Sequence, residues 1–125
     1  MSIVSIRKRD GREVAFDRSK IEQAIMAAFT ASGSAKGVET SVRLTDIVVD
    51  NMEHDEAISS TPSVEQVQDM VERVLIENGF HRSAKAYILY RAERSRVREM
   101  NTRLMRTFEE IVFKDAVDSN IKREN

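Results

Sequence analysis

The chain has 125 residues, 41% of them hydrophobic, and a formal net charge of −1, which suits one domain with a modest core and a tail. The absence of Cys excludes disulfides, thiolate metal sites and thiol catalysis. No apolar run is long enough to span a membrane and residues 1–4 lack the layout of a signal peptide, so the expected address is cytoplasmic.

In chain order, residues 3–6 and 13–16 read as two short strands rich in β-branched residues. Asp10-Gly11 between them is a hairpin signal, because Gly accepts the positive φ of a tight turn. Asp17 reads as the N-cap of a first helix that carries Ile21, Ala24, Ile25, Ala28 and Phe29 at helical spacing and stops at Ser32-Gly33. A small-residue loop covers 34–40. Leu44, Ile47, Val48 and Met52 then mark a second amphipathic helix. Residues 58–61 read as a loop or a short third strand. Ser63 and Gln66 form a capping box for a third helix with the stripe Val67, Met70, Val71, Val74 and Leu75, closed by Asn78-Gly79. A fourth helix runs from about Ser83 beyond Arg98, apolar at first and then strongly charged. Phe108, Ile111 and Val112 form a last apolar cluster. The predicted fold class is mainly α with a small sheet: a four-helix bundle capped by a β-hairpin or a three-stranded sheet.

The near-neutral total hides a segregation. Residues 39–77 are mostly acidic among their ionisable groups, whereas 7–20 and 85–106 are biased basic, which points to one cationic face. Catalytic groupings are scarce. His54 and His81 lie on separate segments beside charged residues and read as surface or capping residues. Glu53, Asp55 and Glu56 form an exposed acidic run, and neither a P-loop nor a GxGxxG stretch occurs. No catalytic and no metal-ligating residue is assigned.

Nucleotide binding needs less: cations and oriented N–H groups for phosphates, and a flat slot for a base. Lys8 and Arg9 lie at the hairpin end. Lys20 falls at N3 of the first helix if Asp17 caps it, at a terminus where unpaired backbone N–H groups are expected. Lys85 and Arg91 lie six apart on the fourth helix, among Tyr87 and Tyr90. Composition and spacing support a phosphate-friendly surface and stop there. An ordinary charged turn explains Lys8-Arg9-Asp10-Gly11 equally well, and half-buried packing explains the tyrosines.

Four segments resemble the ATP-cone, the small nucleotide-sensing domain at the N-terminus of many ribonucleotide reductases. They are Ile6-Arg7-Lys8-Arg9-Asp10-Gly11, Phe16-Asp17-Arg18-Ser19-Lys20-Ile21, Val64-Glu65-Gln66-Val67-Gln68-Asp69-Met70-Val71-Glu72 and Ala84-Lys85-Ala86-Tyr87-Ile88-Leu89-Tyr90-Arg91. The resemblance covers nearly all of residues 3–98. It implies a four-helix bundle with a three-stranded sheet as lid, and ATP or dATP as allosteric ligand, with Mg²⁺. By position in the motifs, Lys8, Arg9 and Lys20 would contact phosphates, and Asp17 would lie near the sugar or the helix mouth. Gln68 would contact the base, while Lys85, Tyr90 and Arg91 would close the pocket from the last helix.

The resemblance also sets the expected organisation: a cone over residues 1–106 and a linker over 107–125, leading to a catalytic domain of the same polypeptide. Residues 118–125 look like the join to the catalytic domain of anaerobic, class III glycyl-radical ribonucleoside-triphosphate reductases. Cone-bearing repressors of reductase genes place a Cys-rich zinc ribbon before the cone, whereas this chain begins at the cone and has no Cys. The expected role is control of the overall activity of such a reductase, with no catalysis in this segment itself. The expected partners are the nucleotide and the catalytic domain, a homo-oligomer is left open, and neither a membrane nor nucleic acid is expected. The alternative is a nucleic-acid-binding or transcription-regulating helical domain using Arg94, Arg96, Arg98, Arg103 and Arg106. A structural helical adaptor is a third reading.

Overall fold

A computed structural model describes the backbone of residues 2–124 and the side chains of residues 2–112. Two short strands, β1 (Ser5–Arg7) and β2 (Glu13–Ala15), precede four helices: α1 (Arg18–Ala31), α2 (Val38–His54), α3 (Val64–Glu77) and α4 (His81–Glu124). The chain divides into two compact units, residues 1–89 and 90–125. The predicted class holds: the protein is mainly helical with a small antiparallel sheet. No helix among the described residues is long and apolar enough to cross a membrane.

In the first unit β1 and β2 pair in the register Ser5–Ala15, Ile6–Val14 and Arg7–Glu13. The pairing continues at both ends: Phe16 N–H donates to the Val4 carbonyl at 2.9 Å, and Lys8 N–H to the Arg12 carbonyl at 2.8 Å. Gly11 makes the turn at φ 89°, a conformation that costs a residue with a Cβ far more. Ile3, expected in the first strand, instead goes into the core.

The third strand shrinks to a single contact. Arg7 N–H donates to the Pro62 carbonyl at 2.9 Å, and Arg7 forms an isolated parallel bridge with Ser63. Two features stop the ladder there. Pro62 has no N–H to return, and Ser63 already caps α3.

Caps fix the helix ends. Asp17 caps α1, and Ser63 with Gln66 forms the full capping box of α3. The end of α3 is a Schellman motif: Gly79 N–H reaches Ile76 at 3.1 Å and Phe80 N–H reaches Leu75 at 2.8 Å, with Gly79 at φ 84°. The same bond pattern closes α1, where Gly33 N–H reaches Thr30 at 3.2 Å and Ser34 N–H reaches Phe29 at 2.9 Å. The start of α2 lies earlier than its apolar spacing suggested, because buried Ser41 and Thr45 satisfy their hydroxyls on Val38 and Ser41 carbonyls at 2.6 and 2.8 Å.

One core fills the first unit. Ile21, Ile25, Ala28 and Phe29 of α1 meet Leu44, Val48 and Met52 of α2, and the α3 stripe Val67, Met70, Val71, Val74 and Leu75. Ala84 and Tyr87 join from the beginning of α4. The Phe29 and Phe80 rings lie 5.4 Å apart in a tilted pair. Ile6 and Phe16, each partly buried, pack the hairpin onto this core.

The second unit is the rest of α4. Arg96 pairs with Glu93 at 2.6 Å, which holds the Glu93 carboxyl below its ordinary value. Val97, Met100, Leu104, Met105, Phe108, Ile111 and Val112 are exposed there. Residues 118–125, which carried the likeness to a particular reductase class, lie outside the described side chains.

Candidate functional site

The hairpin loop carries four ionisable residues with different fates. Arg12 is held locally: its N–H and Nε donate to Asp10 at 3.1 and 2.6 Å. These bonds, the backbone one first, hold the Asp10 carboxyl below its usual value. Arg9 reaches across to α3, its Nε 3.0 Å from Glu65 Oε1. The Lys8 ammonium makes no hydrogen bond or ion pair among the described residues.

The mouth of α1 is built differently from the expected open amide cradle. Asp17 Oδ1 accepts from Ser19 N–H at 3.0 Å and from the Ser19 hydroxyl at 2.6 Å, and Lys20 N–H donates to the Asp17 carbonyl at 3.2 Å. Two of the early amides are thus satisfied within the cap. The Ser19 hydroxyl, then the Ser19 N–H and the Lys20 charge, hold the Asp17 carboxyl below its ordinary value. Arg18 is engaged by Asp46 of α2 and, at 4.0 Å, by Glu22. What remains for an anion at this helix mouth is Lys20, exposed and without an ion pair among the described residues.

Lys8 and Lys20 stand at opposite ends of β2. Lys8 pairs with Arg12 just before the strand, and Lys20 lies in the first turn of α1 just after it. Lysine stems are long and flexible, so each ammonium can reach well beyond its own backbone position.

The α3 side of the hairpin carries Gln68. It lies one turn beyond Glu65, so the two are neighbours on the helix surface. Its Oε1 is buried and has no hydrogen-bond partner among the described residues. A buried amide oxygen left this way is uncommon, because it forfeits its hydration.

Arg9 and the α3 face bearing Gln68 are therefore brought together. Lys85 is placed elsewhere in the unit. It is exposed on α4, two residues beyond Ser83, whose hydroxyl pairs with Ser32 at 2.9 Å at the end of α1. Lys20 sits at the other end of α1, roughly 18 Å away along the axis. Tyr90 and Arg91 belong to the second unit. Tyr90 is exposed; Arg94 donates to its hydroxyl at 3.3 Å and lies 5.7 Å from its ring centre.

Two concavities are lined by none of the hairpin, α1 or α3 residues named above. One is a groove lined by residues of α4 alone, from Tyr90 to Glu109. The other, around Met52–Ser60, is lined by Glu53, Asp55 and Glu56 and so has the wrong sign for phosphate. Sequence reading missed the Glu65 contact to Arg9. The available signal was an acidic residue in the first turn of α3, inside the motif that also holds Gln68.

The fold and the uncommitted lysines define a small helical domain that presents cations from a hairpin and a helix mouth, in the manner of an anion-binding module. Residues 4–96 match the family described as the ATP cone domain, and the chain belongs to it. It is 39% identical over 104 residues to a vitamin B12-dependent ribonucleoside-diphosphate reductase of Thermoplasma acidophilum, covering 78% of this chain and 13% of that protein. It is 35% identical over 106 residues to a ribonucleoside-diphosphate reductase subunit alpha of Chlamydia pneumoniae, covering 78% and 10%. It is 30% identical over 99 residues to an anaerobic ribonucleoside-triphosphate reductase of Salmonella typhimurium, covering 79% and 13%. The chain thus spans about a tenth of the length of these curated relatives.

Proposed function

We propose that this chain is the allosteric nucleotide-binding domain of a ribonucleotide reductase, taking ATP or dATP and controlling the overall activity of a catalytic domain in the same polypeptide. The observation that carries the reading is the pair of uncommitted lysines, Lys8 and Lys20, flanking β2 inside the matched segment. In this reading Lys8, Arg9 and Lys20 hold the phosphates, and Asp17 keeps the helix mouth in shape near the sugar. Gln68 offers its unpaired amide oxygen to the exocyclic amine of adenine, a donor that guanine lacks at that ring position. Lys85, Tyr90 and Arg91 enter this reading as nucleotide contacts on the family resemblance alone.

Mg²⁺ fits as a passenger on the triphosphate. It prefers phosphate and water oxygens to an all-protein cage, and the lysines answer the charge that remains. Residues 118–125 favour an anaerobic glycyl-radical host, while the relatives named above span diphosphate and triphosphate reductases. We place the protein in the cytoplasm, and cone-to-cone assembly into a homo-oligomer is one route by which the ligand could act.

Calorimetric titration of alanine variants tests the site. Lys8→Ala and Lys20→Ala should each weaken ATP binding by about 1.5–3 kcal/mol, the worth of a charge-assisted contact, with unchanged thermal midpoints. Full affinity in both variants would remove the phosphate cradle.

A further inference from the structure

We propose that Glu65 is an internal competitor for the nucleotide's phosphate: it occupies the Arg9 guanidinium in the ligand-free chain and yields it when a polyphosphate arrives. The inference rests on the reading of Arg9 as a phosphate contact.

Its basis is the placement of the pair. Arg9 Nε stands 3.0 Å from Glu65 Oε1, with the side chains 35% and 43% exposed. Both partners sit on fixed backbone. The hairpin is tied to the segment before α3 by the Arg7 N–H bond to Pro62 at 2.9 Å and the Ser5–Thr61 hydroxyl pair at 3.2 Å. The start of α3 is fixed by its capping box. The contact is thus built into the fold and spans two elements, unlike the local Arg12–Asp10 pair.

The chemistry makes Glu65 replaceable. A carboxylate presents two oxygens in the same forked geometry as the edge of a phosphate, and a guanidinium accepts either. Glu65 keeps a favourable position without Arg9, because an acidic residue in a first turn complements the helix dipole. A half-exposed ion pair is weak, so a polyanion carrying several charges can displace it. The exchange takes place one turn from the unpaired Gln68 oxygen. Glu65 therefore raises the ligand concentration at which the site fills, and it holds Arg9 at the site in the meantime.

The test is calorimetric titration of the 125-residue chain with ATP at constant ionic strength. Glu65→Gln, Arg9→Ala, the double variant and Glu13→Gln are compared, with thermal midpoints for each. Glu13 faces Arg7 across the hairpin, so its neutralisation changes the charge equally without touching the Arg9 pair. Glu65→Gln should tighten ATP about two- to fivefold, the size of an exposed ion pair. It should do nothing in the Arg9→Ala background, while any gain from Glu13→Gln should persist there. An unchanged or weakened affinity in Glu65→Gln overturns the proposal, as does an equal gain with and without Arg9. If ATP binds and Lys20→Ala weakens it while Glu65→Gln is inert, the Glu65 inference alone falls. If no form of the chain binds ATP, the reading of the site falls with it.

Discussion

Gln68 sits on the edge of the α3 stripe, beside buried Val67 and Val71, and its amide oxygen pays for that place with no partner among the described residues. An unsatisfied buried polar atom costs a fold about 1–3 kcal/mol, so a residue of the same length without polar atoms should do better in the ligand-free chain. Gln68→Met is expected to stabilise the chain to urea by up to about 1 kcal/mol. The same change should weaken ATP roughly tenfold or less, the worth of about one neutral hydrogen bond. A variant that is less stable and binds ATP unchanged would assign Gln68 to packing.

The difference between Gln68 and the lysines also explains what could be read in advance. Lys8 and Lys20 were legible because a hairpin signal and an N-cap place them by local rules. Arg9 was legible as a cation but not as a committed one, because Glu65 meets it only after α3 has packed beside the hairpin. The same holds for Arg18 and Asp46, whose pairing joins α1 to α2. Sequence lists charges; tertiary contact decides which of them are spent.

At the scale of the element, the helix ends carry the most information. Asp17, Ser63 with Gln66, and Asn78-Gly79 each close their helices as the local chemistry demands. The apolar stripes of α1 and α3 were likewise legible, since every one of Val67, Met70, Val71, Val74 and Leu75 is buried. The start of α2 was not, because its early buried positions are Ser41 and Thr45, hydroxyl residues that satisfy themselves on their own helix. The third strand was undecidable, because Pro62 and the α3 cap end the pairing after one bridge.

The Asp17 cap makes a prediction at this scale. Its carboxyl titrates below the ordinary value because it accepts from the Ser19 hydroxyl and N–H. A carboxyl depressed in the folded state contributes stability above its unfolded pKa and loses it as the pH falls through the folded one. Below about pH 4, wild type should therefore lose stability more steeply than Asp17→Asn, whose amide caps without titrating. At neutral pH the two should unfold alike. Chemical denaturation across that range, followed by circular dichroism, checks this. Equal slopes would mean that the cap is not linked to protonation.

At the scale of the whole molecule, membership of the ATP cone family accounts for residues 4–96. The remainder of α4 carries exposed Val97, Leu104, Phe108 and Ile111 at helical spacing. In the proposed reading this segment, which follows the cone directly, is where the site would couple to a catalytic domain. ATP and dATP differ by one ribose hydroxyl, and one hydrogen bond is worth about 1 kcal/mol net. A switch between them must therefore be finely poised or amplified by assembly, since a ligand moves an equilibrium only by its differential affinity.

Titration calorimetry of the chain with ATP, dATP and GTP at two salt concentrations shows whether one site takes adenine nucleotides. ATP and dATP should saturate at the same fixed molar ratio and compete with each other. Their affinities should lie within about tenfold, the effect of one hydrogen bond, and GTP should bind more weakly than either. Heat without saturation, or equal binding of all three that fades steeply with salt as phosphate-driven nucleic-acid contacts do, would contradict a single adenine-nucleotide site.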